Sequence, residues 1–356
     1  MTNPSRVVLV SVFFLAVLAA VAACVPDLDD DGARITAPRV LAVRAVPAEA
    51  RAGQAVALTA LVATPSGRAA SAETLEWAMC LARKPLTELG PVAQECIDRF
   101  SIGGDIFQRL GRGQGVTATL PADVCRRFGP IAPPAEAGGV AGRPVDPDLS
   151  GGYYQPIVLG NEQGAALGSV RLSCGVVGVP SAEAVRYNQS ARPNENPEID
   201  RLEIVSGAAV QSIAPEGEAP GAVVAAGARV QLRATWSACP EQPVCGDGMC
   251  TAGENQSTCA ADCRDAPKGC TGAERYLWPN PETRRVQERR EAMTVAWYAE
   301  AGTFDEAQTG RSETDAGVDA ANVWTAPAQR GPVRLWIVLR DDRGGVGWEE
   351  YVVTVE

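Results

Sequence analysis

The first 24 residues decide the conditions under which the rest of the chain must fold. Arg6 is followed by 17 uncharged, mostly apolar residues, Val7 to Ala23, and then by Cys24 and the acidic stretch Val-Pro-Asp-Leu-Asp-Asp-Asp-Gly. A short basic head, an apolar core and small residues at the end form the layout of a secretory signal peptide. A spanning helix would need about 20 apolar residues. An exported chain folds in an oxidising compartment, where cysteines pair. The cysteines after Cys24 are therefore candidate crosslinks: Cys80, Cys96, Cys125, Cys174, Cys239, Cys245, Cys250, Cys259, Cys263 and Cys270. Four in the first group allow three connectivities and six in the second allow 15. The spacing selects none of them; the working expectation for the first group is Cys80 with Cys174 and Cys96 with Cys125.

The end of the leader, Val21-Ala22-Ala23-Cys24, resembles the lipobox of bacterial lipoproteins. The resemblance covers residues 1–24. It implies cleavage before Cys24, a diacylated thiol and an acylated new amine, and hence a stable lipid anchor, because several acyl chains hold where one does not. Val25 follows the cysteine, where Asp would be the family's usual inner-membrane retention signal. The resemblance thus implies sorting to the outer membrane, with the membrane as a partner through the anchor. Residues 24–37 read as the lipidated N-terminus and an acidic tether without apolar periodicity.

The formal net charge is −11, and loss of Arg6 with the leader leaves the mature part near −12. Acids and bases are mixed, with no basic block, so nucleic acid is disfavoured as a partner. There is no histidine, which removes His-dependent triads and imidazole metal sites. With 36 Gly and 26 Pro and few helical patterns, the chain reads as all-β, strands joined by many turns. Its length is compatible with two domains, placed at 38–192 and 193–356 with the boundary in the Pro193–Pro197 stretch.

In the first, Gly53 opens a strand where Val56, Leu58, Ala60 and Val62 alternate with the smaller Ala55, Ala57, Thr59 and with Leu61. One face can be buried and the other left near solvent. Leu75, Trp77 and Met79 mark the next strand. A short strand, a turn, a long strand and a Trp-bearing strand suggest an immunoglobulin-like or fibronectin-type β-sandwich. Val116–Leu120, Gly152–Leu159 and Gly168–Cys174 read as further strands, with 129–150 as a long excursion. Residues 180–197 read as a linker or edge segment.

The second body repeats the opening loosely: Glu198–Ile204 parallels Pro38–Val43, and Ala226–Leu232 parallels Ala52–Leu58. Met293–Tyr298 alternates with Trp297 at a core position. Val333, Leu335, Ile337 and Leu339 share one face of a strand, while Trp336 and Val338 share the other. Asp341–Gly347 reads as a solvated hairpin turn. The runs W-Y-x-x-A-G-x-F, from Trp297, and N-x-W-x-A-P, from Asn322, continuing through L-W-x-V-x-R-D-x-R-G-G, are similar to bacterial extracellular immunoglobulin-like domains of the PKD/cadherin-like kind. That resemblance covers 293–356 and implies a spacer or adhesive role. The tryptophans then read as core or sheet surface; a functional reading would have Trp324 or Trp348 line a sugar or peptide site.

Between these strands lies a cysteine-rich insertion, 239–270. Cys245-Gly-Asp-Gly-Met-Cys250, followed by Gly253-Glu254, Cys259 and Asp262-Cys263, resembles the CGDGxCxxGExxxxCxxDC repeat of secreted proteins from myxobacteria and related bacteria. A piece this short cannot bury a core, so crosslinks must hold it. Asp247, Glu254, Asn255 and Asp262 are oxygen donors that could serve calcium, which takes six to eight oxygens, or simply cap loops; no other cofactor is suggested. Zinc is disfavoured because export leaves few free thiols.

Catalysis finds no support. No G-x-S-x-G elbow or phosphate loop occurs, and Glu349-Glu350 point to opposite faces of a strand. The expectation is a non-catalytic, lipid-anchored envelope protein that acts as a structural or binding module, with envelope proteins or glycans as partners. The alternative is an accessory or substrate-recognition subunit of an envelope secretion or hydrolase system.

Overall fold

The computed structural model describes residues 32–65, 67–68, 75–85, 87–101, 103–135, 142–161, 164–217, 221–251, 253–264 and 269–356. The leader, Cys24 and most of the acidic tether lie outside the described residues. Among the described residues no helix is long and apolar enough to cross a membrane.

In chain order the first half contains β1 (Arg39–Val46), β2 (Glu49–Ala50), β3 (Ala55–Thr64), β4 (Gly67–Arg68), β5 (Glu76–Cys80), helix α1 (Gln94–Asp98), β6 (Phe107–Arg112), β7 (Gly115–Thr119), α2 (Val124–Arg127), β8 (Tyr154–Asn161), β9 (Gly164–Leu172) and α3 (Ser181–Ser190). The second half contains β10 (Arg201–Ser206), β11 (Ala209–Ile213), β12 (Ala222–Val224), β13 (Arg229–Thr235), α4 (Ala260–Cys263), β14 (Arg275–Asn280), β15 (Arg285–Arg290), β16 (Met293–Ala299), β17 (Thr303–Phe304), β18 (Gln308–Arg311), β19 (Asp319–Thr325), β20 (Gly331–Asp341) and β21 (Val346–Val355). The chain is all-β and multi-sheet, with a disulfide-rich subregion.

Four sheets stack in layers. The order β2-β9-β8-β5-β6 forms the outermost; β1-β3-β4, with β7 also on β3, forms the next; β12-β21-β20-β16-β18 follows; β11-β10-β13-β19-β17 closes the stack. Three apolar clusters fill the gaps. Val56, Leu58, Ala60 and Val62 of β3 meet Trp77, Met79, Ile157 and Leu159 in the first. Val333, Leu335, Ile337 and Leu339 of β20 meet Leu232, Trp236 and Trp324 in the last. Between them Leu41, Leu61 and Ala63 pack on Ala296, Trp336 and Val338. Burial removes apolar surface from water, which is the main driving force for such stacking.

The middle cluster corrects one expectation. The second face of β3 lies near solvent only at its start, where Ala55 and Ala57 are exposed; further on, Leu61 and Ala63 are 2% and 0% exposed, because the outer face of β20 covers them. A strand buried on both sides needs a nearly continuous apolar run, which Leu58–Ala63 supplies apart from Thr59. Trp336 and Val338 do the same for β20.

The cysteine pairing also differs from the working expectation. Cys80 joins Cys96 and Cys125 joins Cys174. The reason is the fold-back of residues 91–100, which lays Val92, Ala93, Cys96 and Phe100 over Ala78, Cys80 and Val158 on the outer sheet face. That brings Cys96 onto the end of β5, while α2 brings Cys125 to the end of β9.

Residues Ser181–Ser190 of this stretch form a helix rather than a linker. Helix α3 has no buried residue, so no apolar stripe announces it. It is held through polar contacts to β15: Arg186 donates to the Val286 carbonyl at 3.0 Å, and Glu183 accepts from the Val286 N–H at 3.0 Å.

Candidate functional site

Where the halves meet, the turn between β20 and β21 inserts a charge. Arg343 has a side chain only 3% exposed. Its Nη1 donates to Glu274 at 3.3 Å and to Glu291 at 3.2 Å. Its Nη2 donates to Glu49 at 3.3 Å and to the Arg192 carbonyl at 2.9 Å. The Tyr276 ring lies 4.9 Å from the guanidinium carbon. Glu49 also accepts from Arg171 Nε and the Asn194 N–H, each at 3.1 Å, and from the Ser173 hydroxyl at 2.9 Å. One arginine thus binds β2, the 191–197 segment and both ends of the β14–β15 hairpin. The expected solvated hairpin instead carries a buried charge into the junction.

Two asparagines complete the junction. Asn194 bonds Glu49 through its N–H and the Asp341 carboxylate through Nδ2 at 3.1 Å. Asn196 donates to the Ala45 carbonyl at 2.7 Å and accepts from the Val346 N–H at 2.9 Å. Each asparagine therefore touches both halves. Residues 193–197, expected as a boundary, are sewn to both sides.

Four buried carboxylates, Glu49, Glu274, Glu291 and Asp341, face two buried guanidiniums, Arg171 and Arg343. The electrostatics divide them. Burial raises Glu49, but Arg171 and Arg343 outweigh it and hold its pKa below the ordinary value. Burial pushes Glu274 up to about 7, offset only in part by Arg343. Burial and then Asp341 push Glu291 well above the ordinary range. Two acids on one guanidinium nitrogen cannot both be compensated, so the pair retains a proton near neutrality. This pair is 2% exposed at each residue and sealed from substrate.

The pH dependence follows with a definite sign. An acid raised from 4.5 to about 7 binds its proton more tightly folded than unfolded. Its contribution is fully present below 4.5 and is lost as pH rises toward 7. Glu49, being lowered, contributes above 4.5 and loses its share below that. The melting temperature should therefore rise from pH 8 to about pH 5 and fall again in stronger acid. In the double variant E274Q/E291Q the rise should shrink to the part left by Asp341 and Asp342, whose carboxyls burial also raises, as read by calorimetry across pH; an unchanged rise would show that Glu274 and Glu291 do not titrate there.

The insertion is held by Cys239–Cys270 at its neck and by Cys245–Cys259 and Cys250–Cys263, which cross within it. The four candidate calcium residues serve its turns. Asp262 accepts from the Gly246 N–H and from the Gly248 N–H at 3.1 Å. Buried Glu254 accepts from the Thr251 N–H at 2.9 Å and the Thr251 hydroxyl at 3.1 Å. Asn255 caps the next turn by accepting from the Ser257 N–H at 2.8 Å and the Thr258 N–H at 3.0 Å, and Asp247 accepts from the Met249 N–H at 2.9 Å. Among the described residues the candidate metal-ligating group is Cys245, Cys259 and Asp262, and its two sulfurs are joined to each other.

The tryptophans proposed for a ligand differ in placement. Trp324 is 0% exposed and its Nε1 donates to the Ala301 carbonyl at 3.2 Å, so it is core. Trp348 lines a groove of about 460 Å³ with Arg334, Glu216 and Glu349, but the Arg44 guanidinium covers its ring at 4.3 Å.

Sequence reasoning singled out none of Glu49, Arg171, Glu274, Glu291 or Arg343 as a site. Glu49 and Arg171 lie in strands, and Glu274 and Glu291 flank strands, with no motif around them, while Arg343 lies in the R-D-x-R-G-G run that reads as a hairpin. The one available signal was a charge next to a run that must be buried on both faces, as at Arg340–Arg343.

No protein-family model matches the chain, and no curated protein matches it either. Among solved structures it is similar to dimeric latent PorU of Porphyromonas gingivalis, at 12% identity and a TM-score of 0.20, over 91% of this chain and 24% of that one. It is also similar to the adhesin InvE of Yersinia pseudotuberculosis, at 9% identity and 0.21, over 88% and 58%. A third is the fibronectin(III)-like modules of Clostridium thermocellum CbhA, at 10% and 0.19, over 88% and 93%. Likenesses this weak carry no argument, and the architecture rests on its own strand pairings.

Proposed function

We propose that the chain is a rigid, non-catalytic module of the bacterial cell envelope, anchored in the outer membrane by acyl chains on Cys24. In this reading, residues 38–192 and 193–356 are two immunoglobulin-like sandwiches, the second carrying the cysteine-rich insertion. The observation that supports it is the buried junction around Arg343. A hinge would be expected where two such bodies join, since interfaces between domains are commonly small and mobile. Here the join is filled by an apolar layer and a charge network instead, which suits a part that holds position or presents a surface. Val25–Asp31 spans at most about 25 Å, so the tether would keep the body near the bilayer and in reach of envelope proteins or glycans.

Intact-mass analysis of the membrane-extracted protein, before and after reduction, tests this reading. The expected species starts at Cys24, carries acyl mass, and exposes ten alkylatable thiols only after reduction. A species that starts at Met1 without acyl mass, or one with free thiols before reduction, would overturn it.

A further inference from the structure

Beside the junction lies a cavity of about 180 Å³, lined among others by Glu49, Arg51, Arg171, Tyr187, Asn188 and Arg192. Four chain segments build it: β2 with the turn after it, residues 151–153 before β8, the end of β9 with residues 173–175, and helix α3 with residues 191–193. Its charge is the reverse of the chain's. Glu49 is the one acid on the lining, and it is already saturated by Arg171, Arg343, Ser173 and Asn194. Arg171 is committed to Glu49 and to the Ser150 hydroxyl, at 2.6 Å. Arg51 and Arg192 form no ion pair among the described residues; the Arg192 guanidinium has only the Ala191 carbonyl, at 3.2 Å.

Arg192 differs in this from the other two arginines at the junction. Burial lowers its pKa, and Glu254 and Glu274 act on it only from a distance. For Arg171 burial also works against the charge, but Glu49 outweighs it. A partly desolvated guanidinium without a counter-ion is a costly arrangement that an anion relieves. The Tyr187 hydroxyl and the Asn188 amide add donors without a hydrogen-bond partner among the described residues. By contrast, the Trp348 groove carries Glu216, Glu349 and Glu350 on its lining.

We infer that this cavity is a binding site for a small oxyanion, a phosphate or carboxylate group, gripped by the guanidiniums of Arg51 and Arg192 with Tyr187 and Asn188 as further donors. Planar, forked guanidiniums match such groups geometrically. The volume suits a single anionic group or the acidic end of a larger molecule, since pockets for drug-sized ligands run to about 300–1,000 Å³. The inference is independent of the lipid anchor.

Calorimetric titration of the full chain with inorganic phosphate and, separately, with galacturonate tests it, using sodium chloride at matched ionic strength as the control. Saturable binding of at least one probe at one site per chain is expected, and which probe binds tells phosphate from carboxylate. Arg51→Gln and Arg192→Gln should each weaken that binding about tenfold, with the ligand-free melting temperature unchanged. Arg51 is exposed, so R51Q keeps the test valid even if R192Q folds poorly. The inference is overturned if neither probe saturates at tens of millimolar, if chloride produces the same heats, or if R51Q binds as the parent does.

Discussion

Replacement of Arg343 by methionine should lower the unfolding free energy by about 3–5 kcal/mol, the usual result when one partner of a buried charge network is removed. Methionine fills much of the same volume, so the loss reports charge rather than a cavity. Glu49 would keep Arg171 at 3.1 Å. Glu274 and Glu291, however, would lose the cation they share. They can escape by taking up protons, which is easier in acid, so the deficit should be largest near pH 8 and smallest near pH 5. Adding E274Q and E291Q to R343M should restore most of the stability, since a neutral hydrogen-bonding cluster needs no counter-ion. Denaturant titrations of the three proteins at both pH values decide the matter. An R343M chain as stable as the parent at pH 8 would mean that the network contributes little and that apolar packing alone holds the halves.

Trp336→Ala should cost a similar amount, about 3–5 kcal/mol, by a different route. Trp336 is 0% exposed and lies in the apolar layer with Leu41, Leu61 and Ala63, whereas its neighbours Leu335 and Ile337 point into the closing core. Truncation therefore empties the contact between the two middle sheets while leaving both outer cores intact. The expected signature is a split of one denaturation transition into two, together with new proteolysis in residues 191–197. A single transition displaced by less than about 1 kcal/mol would show that the site collapses easily and that the layer is not what couples the halves.

Strand positions were readable because alternation is local. The Val56–Val62 face, the Trp77–Met79 face and the Leu335–Ile337 face all follow from period two. The junction was not readable, because its charges come from positions far apart: Arg343 and Glu49 are separated by 294 residues. A lone Glu in a sequence carries no mark of the arginine that folding will bring to it. Helix α3 was missed for a related reason, since a helix with no buried residue has no apolar period to detect. The cysteine partners depended on the fold-back over β5, where residues 91–100 bury apolar side chains without alternation. In the insertion the spacing suggested ligands for a cation, yet the same carboxylates close turns on backbone N–H groups, a use that sequence cannot distinguish from the first.

The neck of the cysteine-rich loop has a consequence for how such a chain can change over generations. Ser237 and Gly272 nearly touch, close enough that a Cβ on Gly272 would lie 1.9 Å from the Ser237 carbonyl. The intervening residues leave the scaffold and return at one point, and their crossed bridges are all internal to the excursion. Such a segment has the layout of a plug-in cassette: another knot could replace it while the strands on either side keep their register, provided that Glu241, which pairs with Arg275 and Arg290, is retained.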